Sequence, residues 1–249
     1  MRIGFIGAGK VGFSLGKFFA VNNLHVTGYY SRHIESAKAA AEFTDTDCYS
    51  DIKELIYNSD AIFLTVPDGS ISSVFDEIKL YNIKDKQICH CSGAMSSRDA
   101  FPGINETGAF GYSIHPLFPV SSKFETYSKL TDAFFCLEGN AMHLKEWEDR
   151  LRSLGIRTRV IPQSSKAAYH LACASASNLV CALILQSLDL LTEECGFSVE
   201  DALAALKPLA KCNLDAVLEK GPTEALTGPL ERNDASTIRK HLAVLEARP

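Results

Sequence analysis

The chain has 249 residues, of which 46% are hydrophobic, and it carries a formal net charge of −5. This length can bury one large core or two smaller ones, and ordinary domain sizes favour two. The Lys and Arg residues are scattered along the sequence, which argues against a basic surface that would bind nucleic acid.

Several features of the sequence predict a cytoplasmic protein. The N-terminus runs from Met1 directly into an apolar strand, without the regions of a secretory signal. The eight cysteines lie in apolar or helical stretches without regular spacing, so reduced thiols are expected instead of disulfides. No apolar run is expected to reach the length that spans a membrane, and no membrane partner is predicted.

The first 162 residues alternate short apolar runs with helical or polar segments. Residues 2–6 form a predicted strand, and residues 11–21 carry apolar groups at helical spacing after a glycine turn. Further strands are predicted at 25–30, 61–66, 87–91, 110–114, 133–137 and 158–161. This alternation predicts the α/β class, with a Rossmann doubly wound parallel sheet in a domain of residues 1–162.

The rest of the chain, residues 163–249, is predicted to be an all-helical domain. Residues 164–195 contain no Gly or Pro, which predicts one long helix that ends at Gly196. Further helices are predicted at 198–218 and 235–245. A helix of 32 residues would be about 48 Å long, more than so small a domain can cover. We therefore expect a homodimer formed through the C-terminal helices.

A dinucleotide-binding fingerprint follows the first strand. It consists of Gly7, Ala8, Gly9, Lys10, Val11 and Gly12, between a predicted strand and a predicted helix. Gly7 allows the tight turn, Gly9 lets the backbone approach a pyrophosphate, and Gly12 permits close packing of helix on strand. The N-terminus of the helix would then face the phosphates.

The end of the second strand indicates which dinucleotide is bound. Sites for NAD(H) usually place Asp or Glu there, but this chain has Ser31 and Arg32. Ser31 can donate a hydrogen bond, and Arg32 can make a charge-assisted contact with a 2′-phosphate. NADP(H) is therefore the predicted cofactor, and the alternative for Arg32 is a solvated residue that opens a helix. Val66, Pro67 and Asp68 are predicted to form a wall of the cofactor site.

Two loops that follow predicted strands carry candidate substrate-binding residues, because ligands of open α/β sheets bind beyond the carboxyl ends of the strands. Ser92 could hydrogen-bond a substrate carboxylate or carbonyl. His115 could bind substrate or transfer a proton, and its alternative is a structural capping role. Cys89, His90 and Cys91 alternate between the two faces of a strand, so no metal site is predicted.

The first turns of the long helix carry the candidate catalytic residues. Lys166 and His170 are four residues apart, so they share one face of the helix and lie within about 6 Å along its axis. Either residue could handle a proton, and the sequence leaves the choice between them open. The alternatives are a surface lysine and a packed core histidine. Asn178, at the edge of the same face, is a candidate for orienting substrate.

On these residues, the chain resembles the superfamily of 6-phosphogluconate and 3-hydroxyisobutyrate dehydrogenases, pyrroline-5-carboxylate reductase and prephenate dehydrogenase, which share a Rossmann domain followed by a long helix. More closely, it resembles the family called domain of unknown function 2520. The stretches that match are Cys91-Ser92-Gly93-Ala94, Ser113-Ile114-His115-Pro116-Leu117, Lys166-Ala167-Ala168-Tyr169-His170, Ala176-Ser177-Asn178 and Ala225-Leu226-Thr227-Gly228-Pro229.

The resemblance implies a dinucleotide-dependent oxidoreductase with a dimerising helical domain, in which Thr227 could lie on a loop that returns to the substrate cleft. In the hydroxyacid dehydrogenases an Asn follows the helix Lys by four residues, whereas Lys166 is followed by His170. The sequence thus predicts an NADP(H)-dependent oxidoreductase that acts on a small carbonyl, imine or alcohol. A redox sensor that binds NADP(H) without catalysis and a deazaflavin-dependent NADP reductase are the alternative interpretations.

Overall fold

The structure, a computed structural model, describes residues 1–247 and forms two compact units. The first unit is Met1–Ala174, and the second begins at Ser175. The division therefore lies inside the long helix and not at the boundary predicted after residue 162. The first turns of that helix belong to the first unit because Lys166 hydrogen-bonds to groups of its sheet and loops.

The first unit is built on an eight-stranded sheet. Its strands are β1 (Arg2–Ile6), β2 (His25–Tyr30), β3 (Asp47–Cys48), β4 (Ala61–Leu64), β5 (Gln87–His90), β6 (Phe110–Leu117), β7 (Phe134–Gly139) and β8 (Arg157–Val160). Their order across the sheet is β3-β2-β1-β4-β5-β6-β7-β8. Neighbouring strands are parallel except for β6 and β7. The predicted α/β class and Rossmann topology are confirmed.

Two details of the sheet differ from the prediction. The strand β3 was missed because its two residues, Asp47 and Cys48, are exposed and carry no apolar pattern. The pair β6 and β7 is antiparallel instead of parallel. Parallel neighbours need a crossover, usually a helix, that returns the chain to the same end of the sheet. The connection over residues 118–133 contains only the 3₁₀ helix Thr126–Asp132, so β7 runs back beside β6.

Helices cover both faces of this sheet. They are α1 (Lys10–Val21), α2 (Ile34–Thr44), α3 (Ile52–Asn58), α4 (Asp68–Ile78), α5 (Ser97–Ala100) and α6 (Ala141–Ser153). One core packs Phe63 of β4 with Trp147 of α6, and the other packs Ile62 of β4 with Phe75 of α4. Adjacent residues of β4 thus enter opposite cores, as expected for a strand that is buried on both faces.

The long helix α7 (Lys166–Asp189) corrects one expectation from the sequence. A 3₁₀ turn, Gln163–Ser165, precedes it, and a π-helical turn, Leu190–Glu194, continues it. The whole stretch has 32 residues and contains an 18-residue window with a mean hydropathy of 1.7, so by length and composition it could cross a membrane. The prediction that no apolar run reaches this length is wrong, because residues 167–188 contain no Asp, Glu, Lys or Arg.

The second unit is helical, as predicted. After the remainder of α7 it contains α8 (Val199–Lys220), the short α9 (Pro222–Ala225) and α10 (Ala235–Glu246). Many large apolar side chains of this unit are exposed, among them Leu179, Leu183, Leu185, Leu203, Leu209, Leu218 and Leu242. Such an extended apolar surface is typical of an interaction site.

Candidate functional site

The predicted dinucleotide fingerprint forms the turn between β1 and α1. Gly7 has a φ of +102°, which favours glycine, and its N–H donates to the carbonyl of Tyr30 over 2.8 Å. A Cβ atom at Gly12 would lie 2.7 Å from the carbonyl oxygen of Gly7, so a larger residue would not fit. At Gly9, a Cβ atom would meet only the carbonyl oxygen of Thr65, at 3.7 Å. The backbone at Gly9 is therefore open to a ligand.

The N-terminus of α1 can accept an anion. Gly9 caps this helix and provides no side-chain hydrogen bond to the first-turn N–H groups. Those groups carry the partial positive charge of the helix dipole, which favours a phosphate. Lys10, at the first helical position, is exposed and adds a formal positive charge, whereas Val11 is half-buried and Ala8 is buried. The fingerprint thus presents backbone donors and a cation together.

A cavity of about 280 Å³ lies beside this turn. Its lining includes the predicted cofactor residues Gly7, Ala8, Gly9, Ser31, Arg32, Val66 and Pro67. Glu77, which the sequence did not single out, lines it as well. Arg32 is exposed, so its guanidinium is available to a ligand. The cavity therefore carries one cation that favours a 2′-phosphate and one carboxylate that opposes it.

Asp68 is engaged with the loop that follows β5. Its Oδ2 accepts a hydrogen bond of 2.6 Å from Oγ of Ser92, and it does not line the cavity beside the glycine turn. Oγ of Ser92 also accepts from the N–H groups of Ala94 and Met95, at 3.2 and 3.1 Å. The hydroxyl proton of Ser92 is therefore donated to Asp68, while the hydroxyl oxygen fixes the conformation of residues 92–95.

Lys166 ties α7 to the same loop. The residue is buried, with only 3% of its surface exposed. Its Nζ donates to the carbonyl oxygen of Ser92 at 2.9 Å and to Oγ of Ser113, on β6, at 2.8 Å. An ammonium group with two hydrogen-bond acceptors is tolerated in such a buried position. Lys166 thereby holds the first turn of α7 against β6 and the loop after β5.

Gly93, His115, Tyr169 and His170 form a group that we call the histidine cluster. Nδ1 of His115 lies 2.7 Å from the hydroxyl of Tyr169. A Cβ atom at Gly93 would lie 2.9 Å from Nε2 of His115 and 2.9 Å from Cδ2 of His170, so both imidazole rings border this glycine. His115 is half-buried and His170 is exposed. The structure therefore brings together His115 and His170, which lie in separate segments of the sequence.

Burial controls the charges in and around the histidine cluster. Desolvation, together with smaller electrostatic effects of Lys166 and His170, lowers the pKa of His115 to about 4. Desolvation also lowers the pKa of Lys166, and it raises the pKa of the Tyr169 phenol. At neutral pH the imidazole of His115 is therefore uncharged, and Tyr169 keeps its hydroxyl proton.

Two family models match the chain. Residues 1–116 match the model of a Rossmann-like domain, and residues 133–249 match the model described as domain of unknown function, DUF2520. The chain joins a Rossmann-like domain to a DUF2520 domain. The resemblance to this family that the sequence motifs indicated is thus confirmed. No curated protein matches the sequence.

Solved structures share the fold of this protein over nearly its whole length. Protein TM1727 from Thermotoga maritima is 26% identical with a TM-score of 0.75, and the match covers 99% of this chain and 90% of that one. A Bacteroides fragilis protein, BF3122, provisionally described as an NADP oxidoreductase, is 19% identical with a TM-score of 0.74 and coverages of 100% and 92%. A 1-pyrroline-5-carboxylate reductase from Streptococcus pyogenes is 16% identical with a TM-score of 0.67 and coverages of 100% and 92%.

Two of the predicted substrate-binding residues lie in the second unit. Asn178 is exposed on α7, where its Oδ1 accepts a hydrogen bond of 2.9 Å from Oγ of Ser177. Thr227 is exposed in the segment after α9. A role of either residue toward substrate therefore stays a prediction.

Sequence reasoning missed a buried carboxylate close to the site. Glu138 on β7 is 1% exposed, and it accepts hydrogen bonds from the N–H and the hydroxyl of Ser97. Its negative charge acts to raise the pKa of Lys166, against the stronger effect of burial. A signal was present, because Glu138 follows the apolar run Phe134–Leu137 directly. A carboxylate at the end of a buried strand requires a partner.

His90, which is buried, and His115, which is half-buried, are expected to make the protein less stable in mild acid. Burial lowers the pKa of His90 to about 3 and that of His115 to about 4, whereas the ordinary value is 6.5. Below that value the unfolded chain binds protons that the folded chain does not, so the stability is present above pH 6.5 and falls as the pH falls toward these lowered values. Urea unfolding should therefore show a lower midpoint at pH 5 than at pH 7.

Variants separate this effect from general acid sensitivity. His115→Asn should reduce the dependence of the urea midpoint on pH between pH 7 and pH 5. His25→Asn, at an exposed position of β2, should keep the wild-type dependence. A midpoint that does not change across this range would contradict the assignment of neutral, buried imidazoles.

Proposed function

We propose that the protein is an NADP(H)-dependent oxidoreductase that transfers hydride to or from a small carbonyl, imine or alcohol. The observation that carries this proposal is that the glycine turn and two members of the histidine cluster, Gly93 and His115, lie at the carboxyl ends of parallel strands of one sheet. The strands β1, β4, β5 and β6 are parallel, so their carboxyl ends share one edge of the sheet. Gly7 follows β1, Gly93 lies in the loop after β5, and His115 is near the end of β6. Ligands of open α/β sheets bind at this edge.

The residues around the glycine turn fit NADP(H). The open backbone at Gly9 and the uncapped N-terminus of α1 suit a pyrophosphate. Arg32 and Ser31, in the adjacent cavity, suit a 2′-phosphate. When bound, the cofactor would supply or accept the hydride. The Bacteroides fragilis protein and the Streptococcus pyogenes reductase, whose descriptions name an NADP oxidoreductase and a reductase, support the same proposal.

We assign the proton transfer to His170 and a positioning role to Lys166. His170 is exposed and borders the same glycine as Nε2 of His115, so a substrate there could reach its imidazole. Nζ of Lys166 is buried and already hydrogen-bonded to Ser92 and Ser113. Lys166 therefore orders the loop that carries Gly93, and it need not exchange a proton itself.

The proposal is tested by incubating the protein with NADPH and panels of small carbonyl and imine compounds, while absorbance reports NADPH consumption. We expect turnover with at least one class and its loss in the double variant of Lys166→Met and His170→Asn. A redox sensor would tolerate this double substitution and would differ in conformation between its NADPH and NADP⁺ complexes. That outcome would replace the enzyme proposal with the sensor interpretation.

A second copy of the chain is the partner that we propose for the apolar surface of the second unit. Residues 175–188 of α7, which include no Asp, Glu, Lys or Arg, and the exposed leucines there provide such a surface, and symmetric dimers are the commonest soluble assemblies. We propose the cytoplasm as its location, because burial between two copies would remove the long apolar helix from water without a lipid bilayer.

The proposed dimer predicts the effect of a charge on α7. Leu183→Glu, at a side chain that is 62% exposed, should convert the dimer to a monomer, because a carboxylate resists burial in an apolar interface. Leu80→Glu, at a position of the first unit that is 81% exposed, should leave the dimer intact. Light scattering after size-exclusion chromatography measures both variants. A monomeric wild-type protein, or one that requires detergent, would contradict the proposal.

A further inference from the structure

The hydroxyl of Tyr169 holds a defined nitrogen of His115. We propose that Tyr169 is a positioning residue that fixes His115 as an Nε2–H donor facing Gly93 and His170. The hydroxyl lies 2.7 Å from Nδ1 of His115, and the two rings meet edge to face with centroids 5.6 Å apart. Because Tyr169 occupies Nδ1, Nε2 is the nitrogen that borders Gly93.

The chemistry of the neighbouring groups decides which way this hydrogen bond runs. Two thiols also lie near the phenol, that of Cys136, which pairs with His115 across β6 and β7, and that of Cys173, one turn later on α7. A thiol sulfur is a weak acceptor, whereas the unprotonated nitrogen of a neutral imidazole is a strong one. The phenol proton therefore goes to Nδ1 of His115.

Burial and the nearby charge of Lys166 keep the imidazole of His115 neutral. The ammonium of Lys166 lies 5.5 Å from the centre of the Tyr169 ring, and its charge, together with burial, disfavours a proton added to His115. With Nδ1 acting as acceptor, the single ring proton of His115 lies on Nε2. The bond to Tyr169 thus converts a histidine that could adopt either tautomer into a fixed donor.

This assignment deepens the proposed function, on which its consequence for the substrate rests. An Nε2–H donor pairs with an acceptor, such as the oxygen of a carbonyl or an alcohol. A protonated imine presents a positive charge and a donor instead, so it would not pair with this group. The histidine cluster is therefore suited to substrates that react at a carbon bearing oxygen.

The tautomer is measured without substrate or cofactor. Two-bond proton–nitrogen NMR correlation of uniformly ¹⁵N-labelled protein at neutral pH distinguishes Nε2–H from Nδ1–H imidazoles, and the His115→Asn variant identifies the His115 signals by their loss. We expect an Nε2–H pattern in the wild type and at least a severalfold increase of the Nδ1–H form in Tyr169→Phe. Tyr57→Phe, at a side chain that is 80% exposed, should leave the pattern unchanged.

An Nδ1–H pattern in the wild type would overturn the proposal even if Tyr169→Phe failed to fold. An unchanged pattern in a folded Tyr169→Phe variant would also overturn it. With a substrate in hand, Tyr169→Phe should lower kcat/KM by about tenfold and leave the Kd for NADPH unchanged. Turnover of imines but not of carbonyl compounds would overturn the consequence for the substrate. Failure to bind NADPH would affect only the proposed function, because the tautomer is read in its absence.

Discussion

Replacing His170 by Asn is expected to lower turnover on the order of 10²- to 10⁴-fold, the range associated with loss of a general acid or base. The affinity for NADPH should stay near the wild-type value, because His170 lies on α7 and does not line the cavity beside the glycine turn. Steady-state kinetics with the substrate found by screening measures the first quantity. Nicotinamide fluorescence measures the second.

Chemical rescue makes this prediction specific to proton transfer. His170 is exposed, so imidazole added to a His170→Ala variant can reach the vacated position and should restore part of the activity. His25→Asn, at an exposed position of β2, should keep full activity. An equal loss of turnover and NADPH affinity in His170→Asn, with no rescue by imidazole, would contradict the assignment.

The second large effect concerns Lys166. Lys166→Met retains the length of the side chain but removes both hydrogen bonds of Nζ, to the carbonyl oxygen of Ser92 and to Ser113. The loop that carries Gly93 should shift, and a displacement of about 1 Å at a reacting group can lower turnover by about 10²-fold. The Kd for NADPH should change little. Single-turnover kinetics of the variant, with an excess of enzyme, measures the loss at the chemical step.

Controls for Lys166 separate positioning from proton transfer. Small amines or imidazole should not rescue Lys166→Met, because the site of Nζ is buried. Lys53→Met, at an exposed position of α3, should behave as wild type. If added amines restored activity to Lys166→Met, the proton would belong to Lys166 and not to His170.

The cofactor half of the site could be predicted because its signals are local. Gly7, Gly9 and Gly12 are close in sequence, and the turn that they form depends on their own backbone freedom and on the strand before them. Arg32 could be placed for the same reason, since it lies two residues after the end of the second strand. Short apolar runs likewise revealed most strands, because each run fills its own share of a core.

The half of the site around the histidine cluster depends on contacts between residues that are distant in sequence. His115 and Tyr169 are 54 residues apart, so no local pattern reveals that the hydroxyl of Tyr169 meets an imidazole. The hydroxyl of Ser92 donates to Asp68, which is 24 residues away in sequence and 2.6 Å away in the fold, so no local pattern reveals this hydrogen bond either. The direction of β7 depends on the missing crossover helix, which an apolar run of strand length does not report. These contacts and the direction of β7 therefore depend on tertiary packing, which sequence periodicity does not predict.

The central claim is that the protein binds NADP(H) through the glycine turn and Arg32. The most direct test titrates the purified protein with NADPH and with NADH, followed by nicotinamide fluorescence, and repeats both titrations with Arg32→Ala and Glu77→Gln. We expect tighter binding of NADPH than of NADH, a loss of roughly 10- to 100-fold in NADPH affinity for Arg32→Ala, and stronger NADPH binding for Glu77→Gln. The absence of binding for both nucleotides to the wild-type protein would contradict the account.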